Sequence, residues 1–248
     1  MKNQYIGDIG DYGKYGMLRS LASSGIKIGV NWYLCPDDGR TDGNHTEYLS
    51  DARMRVYDAE VYDVMQDLAF RNDKTVQMVE NSGILNGMSF YSELLDLDSL
   101  HWSQRTDRRD KWHHGALEAL TGVDIVFADP DNSLTVNKKP SQKGLEKFIL
   151  PDEIMDYYNR GQDVVYYHHR SRKNNEGWME EKTQMLRFLP DAKLMAVAFR
   201  RWSCRVYIFV IHENKVGFYS RALNDFIGSV WGIHKVDGKV PFTYEEIW

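Results

Sequence analysis

Apolar and polar positions fall into two kinds of block along this 248-residue chain. Short, nearly continuous apolar runs at 27–34 (KIGVNWYL), 124–130 (DIVFADP), 163–169 (DVVYYHH), 193–200 (KLMAVAFR) and 204–213 (CRVYIFVIHE) read as strands buried on both faces. Between them lie stretches of helical period. Residues 15–24 predict a short helix stopped by Gly25. Residues 50–81 are mostly helical and polar, with Val56, Val61, Val64 and Leu68 on one face. Residues 108–120 set Trp112, Ala116, Leu117 and Leu120 at helix spacing, and His113-His114 on that helix read as surface. A helix over 150–161 opens with Pro-Asp-Glu and stops at Gly161, and another covers 176–188. The segment 36–46 (PDDGRTDGNHT) is a loop by composition, and MSFYSELL at 88–95 fits either a strand or a helical turn.

Alternation of strand and helix predicts parallel pairing with helices on both faces of the sheet. Only RWS separates the last two strands, which predicts an antiparallel hairpin at the sheet's end. The expected fold is therefore a single Rossmann-like α/β domain over 1–248, mostly parallel, with a helical insertion around 50–120. In such a sheet, ligands bind where loops leave the carboxyl ends of strands. That rule gathers the 35–46 loop, Asp129 to Asn132, His168 to Arg170 and Arg200 to Trp202 around one crevice.

Composition changes this picture little. Hydrophobic content of 42% and charged content of 27% suit a globule, and no apolar run reaches the roughly 20 residues of a membrane span. The start has no apolar core of a secretory signal, and Cys35 and Cys204 show no metal-ligand spacing; a reducing, cytoplasmic setting in a bacterium or phage-infected host is expected. The net charge of −5 divides unevenly: residues 1–100 hold 9 Lys and Arg against 16 Asp and Glu, and the remainder 22 against 20. Bulk charge makes no strong case for nucleic acid. Basic clusters at 105–111, 138–143, 170–173 and 200–205 make a local one.

Four motifs carry candidate chemistry. Glycines 7, 10, 13 and 16 recur every third residue in YIGDIGDYGKYGMLR, which fits a capping loop or a tight loop approaching a cofactor, with Asp11 and Lys14 beside it. The 36–46 loop carries Asp37, Asp38, Asp42, Asn44 and His45, which fits either a solvated turn or oxygen donors for a hard cation. The strand ending in Asp129-Pro130-Asp131-Asn132 suits three roles: contact with an exocyclic amine, an Asp-x-Asp divalent-cation site through Asp129 and Asp131, or a plain turn. At 166–173, His168 and His169 point to opposite faces of a strand, so only one is expected in the crevice, as a base or a ligand. Arg170, Arg172 and, one strand later, Arg200 are candidates to clamp phosphate. Trp112, Trp178, Trp202 and Trp231 read as core or interface residues.

Taken together, GDIGDYGKYG, VNWYLCPDDGRTDGNHTEYL, VFADPDN, YYHHRSR and AVAFRRWSCRVYIFVI resemble a family of largely uncharacterised bacterial and phage proteins. The layout is more distantly similar to ribosomal RNA adenine-N6 methyltransferases, with Gly10-Asp11-Tyr12, Lys14-Tyr15, the 33–45 loop and Asp129-Pro130 in corresponding order. Asp131 and Asn132 stand where that class has a second proline and an aromatic, and the 35–45 loop lacks its Gly-x-Gly.

The resemblance implies S-adenosylmethionine (AdoMet) contacted by Lys14, Asp11 and the loop residues Asp37, Asp42 and Asn44. Catalysis would rest on Asp129, Asp131, Asn132 and His168, and DNA or RNA would be held by His169, Arg170, Arg172 and Arg200. The leading expectation is thus an AdoMet-dependent methyltransferase-like protein modifying an exocyclic amine on nucleic acid. Alternatives are a Mn²⁺- or Mg²⁺-dependent glycosyltransferase or phosphodiesterase using Asp129 and Asp131, and a non-catalytic binding or inhibitor protein.

Overall fold

The computed structural model describes residues 1–40, 44–139, 141–170, 175–202 and 205–245. Seven strands form one mixed sheet: β1 (Ile28–Asn31), β2 (Ser89–Tyr91), β3 (Ile125–Ala128), β4 (Asp163–His169), β5 (Lys193–Phe199), β6 (Arg205–Ile211) and β7 (Phe242–Tyr244). Their order is β2-β1-β3-β4-β6-β5-β7. The first four are mutually parallel, whereas β6 runs antiparallel to both β4 and β5, and β7 is antiparallel to β5. The predicted hairpin is therefore present, but β6 is inserted inside the sheet and β7 closes the edge. The ambiguous run at 88–95 resolves as the edge strand β2, so the polar 50–120 region contributes to the sheet as well as helices.

Helices cover both faces: α1 (Ile9–Ser23), α2 (Ala59–Leu68), α3 (Val76–Asn81), α4 (Arg105–Ala119), α5 (Pro151–Asn159), α6 (Asn175–Thr183), α7 (Val216–Gly228) and α8 (Val230–Ile233). Successive strand residues point to opposite faces, so the core divides in two. Val30, Phe127, Val165 and Phe209 pack with α1, α2, α3, α7 and α8. Val126, Ala128, Val164 and Tyr166 pack with α4, α5 and α6. Of the four valines and leucines assigned to one helical face, Val61 and Leu68 are buried, but Val56 sits on a 3₁₀ turn and is exposed. Nor is His113 a surface residue: it is 8% exposed and within 3.0 Å of Asp156, while His114 has Glu118 as its i,i+4 partner. Among the described residues no helix is long and apolar enough to cross a membrane.

The glycine-spaced opening is a helix, not a loop. Asp8 caps α1, its carboxylate accepting from the Gly10 amide, so the helix starts six residues before the apolar periodicity predicts. Spaced three apart, Gly10, Gly13 and Gly16 share one helical face. A Cβ at Gly10 would lie 2.5 Å from the Arg205 guanidinium carbon, and one at Gly13 would lie 2.5 Å from the Phe199 ring. At Gly16 it would enter the Trp231 indole. The period of three exists because α1 lies directly against these side chains.

On the opposite face a buried ion pair fixes α4 against α5. Arg109 donates to both carboxylate oxygens of Glu153 at 2.7 and 2.9 Å, and also to the carbonyls of Leu145 and Phe148. Glu153 accepts further from the Leu150 amide and the Tyr33 hydroxyl. Burial alone would push the Glu153 carboxyl up, but the attraction of Arg109 outweighs it and holds the pKa below the ordinary value. A depressed carboxyl contributes stability that is complete above the unfolded value, about 4.3, and lost as pH falls through the folded value. In acid titrations followed by circular dichroism, Glu153→Gln should be less stable than wild type at pH 7. The gap should narrow as pH drops below about 4; a gap constant down to pH 2 would refute this role.

Candidate functional site

At the carboxyl edge of the sheet a cleft of about 860 Å³ opens between the start of α1, the loop after β1, the segment after β3 and the end of β4. The N-terminal segment and Arg205 and Tyr207 of β6 complete its walls. Its floor is electrostatic. Lys14, 3% exposed, places Nζ 2.8 Å from Asp11 Oδ1 and 2.7 Å from Asp129 Oδ2. The rings of Tyr15 and Trp32 lie 5.1 and 5.4 Å from the same ammonium. Burial works against this charge, yet the attraction of Asp11 and Asp129 prevails and keeps Lys14 protonated well beyond the ordinary lysine range.

Asp129 reaches this position because β3 ends there: its amide donates to the Asn31 carbonyl of β1, and its own carbonyl accepts from the Met1 amine at 2.9 Å. Pro130 then turns the chain outward. Asp131 does not join Asp129. It lies 3.1 Å from Lys2, which also donates to Asp38 at 2.7 Å. Burial opposes the Lys2 charge, and the hydrogen bond to Asp38 with the attraction of Asp131 raises its pKa above the ordinary value. Each acid of the Asp-x-Asp pattern is thus held by a different buried lysine. No group of three or more His, Cys, Asp or Glu side chains among the described residues is arranged to hold a metal ion. The segment beyond is pinned from both sides: the Asn132 amide donates to the Lys147 carbonyl, and the His169 amide donates to Ser133 Oγ at 3.0 Å.

Both histidines border the cleft, although only one was expected there. They sit in the last residues of β4, where each face of the strand meets the rim. His168 is 4% exposed, with Nε2 3.8 Å from Glu181 Oε2 and its ring 5.6 Å from Trp178. His169 faces the other side, with Nδ1 3.3 Å from the Tyr167 hydroxyl. Burial, and then the charge of Arg205, lowers the His169 pKa and favours its neutral form.

The cleft brings together Asp11, Lys14, Asp129, Asp131, Asn132, His168 and His169. Asp37, Asn44, Arg170 and Arg200 are not among its lining residues. Asp37 accepts from the Gln4 amide, and the Arg170 guanidinium lies 5.5 Å from the Trp178 ring. Arg200 donates to Thr243 and, at 2.7 Å, to Glu245, because its strand β5 lies beyond β6 from the cleft. Asp42, Arg172 and Cys204 lie outside the described residues.

Asp8, which the sequence places as a charge beside the glycine run with Asp11 and Lys14, lines the cleft, and Arg205 and Lys2 are among the lining residues the sequence reading of the site does not single out. Asp8 caps α1 and pairs with Arg205 at 2.8 Å. Arg205 shares its strand face with Tyr207, Phe209 and Ile211, all core residues; an arginine in register with a buried apolar row is a readable signal. Lys2 offered none.

No protein-family model matches the chain, and no curated protein matches it.

Proposed function

We propose that the protein is an AdoMet-dependent methyltransferase-like enzyme that presents Asp129 to an exocyclic amine of a nucleobase. The observation that carries the reading is the placement of Asp129-Pro130: it leaves β3 at the cleft wall, with Lys14 orienting the carboxylate from behind. The strand order supports it too, since an antiparallel strand inserted before the last parallel one, as β6 lies between β4 and β5, is the arrangement of that class.

The cofactor position usual in that class, beyond the first two strands, is filled here. Trp32, Tyr33, Leu34 and Cys35 are each no more than 5% exposed. The Leu95 amide closes on the Leu34 carbonyl at 2.7 Å, and the Cys35 amide on the Met1 carbonyl. The cleft itself suits a zwitterionic nucleoside. Asp38 and Asp131 match an ammonium, Lys2 matches a carboxylate, and Tyr5, Tyr167 and Tyr207 offer ring surface. When bound, the group would supply an electrophilic methyl. Asp129 would accept a hydrogen bond from the target amine, and neutral His169 would take up the proton released.

The divalent-metal reading requires Asp129 and Asp131 to turn from Lys14 and Lys2, removing one of the two carboxylates that each buried ammonium holds and leaving Lys14 with Asp11 and Lys2 with Asp38. A cofactor-free binding protein is favoured instead by the filled β1–β2 position. Calorimetry separates these readings. AdoMet and its demethylated product should bind the wild type, and Asp129→Asn should retain binding while losing methyl transfer to adenine- or cytosine-containing strands by at least about a hundredfold. Absence of heat with a folded protein would reject the enzyme reading.

A further inference from the structure

Trp202, expected in the core or an interface, is 53% exposed and holds a left-handed backbone at φ 58°. The left-handed backbone opposes folding and is not explained by stability. Its ring partner is His45, with centroids 6.3 Å apart and planes 30° from parallel. His45 lines the cleft, and its backbone is fixed to the start of α1: its carbonyl accepts from the Ile9 amide at 2.9 Å, and its amide donates to Asp8 at 3.3 Å. An imidazole that lines the cleft and an indole beside it, outside the lining, therefore stand together, one anchored to the helix and one on the β5–β6 turn.

The same loop contributes to a basic rim. Lys2, Lys147 and Arg40 converge on the single carboxylate of Asp38 at 2.7, 3.6 and 3.8 Å. Among the described residues only Lys2 of these has a second acid, Asp131. The Arg40 side chain is 69% exposed. Stacking surface beside three cations that share two carboxylates is chemistry suited to a single nucleic-acid strand, whose bases are free to stack.

We infer that His45 and Trp202 form a stacking platform for an unpaired nucleobase, with Arg40 and Lys147 receiving the adjoining phosphates of a single-stranded nucleic acid. This rests on the nucleobase-directed reading of the cleft and narrows it to strands that are not in a duplex. The platform occupies the role that an aromatic at position 132 would otherwise fill, and Asn132 cannot.

The probe is a fluorescein-labelled 12-nucleotide single strand of mixed sequence, followed by anisotropy against wild type and variants. Wild type should bind it more tightly than the matching duplex. Trp202→Ala should weaken binding about 5- to 150-fold, with Trp202→Phe close to wild type. Arg40→Ala with Lys147→Ala should flatten the plot of log affinity against log salt by about 1.4. Equal binding by Trp202→Ala and wild type, equal binding of strand and duplex, or no binding of the strand by wild type would each overturn the inference. AdoMet calorimetry on Trp202→Ala should give wild-type heat. Loss of AdoMet binding in every variant and in wild type, with strand binding intact, would reject the methyltransferase reading and leave the platform standing.

Discussion

Replacing Lys14 by methionine should destabilise the protein by about 3–5 kcal/mol, because removing one partner of a buried ion pair leaves its carboxylates uncompensated. Here two are exposed to that loss: Asp11 and Asp129 both pair with Lys14, and both are buried. For a chain of this length such a loss lowers Tm by roughly 6–20 °C. The double replacement Lys14→Met with Asp129→Asn should recover part of it, since one stranded charge is removed with its partner. Thermal unfolding of the single and double variants measures both effects. A Lys14→Met protein as stable as wild type would mean that Lys14 is not the centre of the cleft floor.

The second large effect concerns the glycine face of α1. Alanine is favoured over glycine in a helix interior by about 1 kcal/mol, so Gly16→Ala would stabilise an open helix. At Gly16 the new methyl meets the Trp231 indole, which is 4% exposed and packed by Tyr12, Tyr57, Phe226 and Phe242. A ring held on so many sides cannot retreat, and overpacking of this kind costs about 1–3 kcal/mol. The clash prevails, so Gly16→Ala should be less stable than wild type in urea unfolding. Gly217 in α7 is the control: its nearest neighbour to a new Cβ is the Arg221 guanidinium at 3.8 Å. Gly217→Ala should therefore be more stable by about 0.5–1 kcal/mol. Stabilisation at both positions would show that α1 does not lie against Trp231.

These two sites also show where the sequence could be read and where it could not. The strands β1, β3, β4, β5 and β6 are legible because each is a short apolar run bounded by turn residues, and burial on both faces leaves little else for such a run to be. The insertion of β6 between β4 and β5 is not legible, since three linking residues specify a hairpin but not which partner lies beyond it. Helix α1 reads short at its start because glycine lowers helix propensity; tertiary packing of Gly10 and Gly13 on sheet side chains and of Gly16 on Trp231 overrides that local preference. The meeting of Asp129 with the end of β4 follows from the rule that places sites at strand carboxyl ends, whereas Asp11 and Lys14 reach the same cleft from α1 and the second histidine lines it against expectation. Arg200 followed the same rule and departs from the site, because β5 is separated from β4 by the intervening β6. Trp202 reads as a core or interface residue from its type alone, and its exposure beside His45 follows from the turn that carries it.

Amide hydrogen exchange with and without the demethylated product of AdoMet tests most directly whether the cleft over β3 and β4 is where ligand binds. Protection should appear at residues 8–14, 129–137 and 167–169, and 33–35 with 93–97 should be unchanged. Protection confined to 33–35 and 93–97, or no change anywhere in a folded protein, would contradict the account.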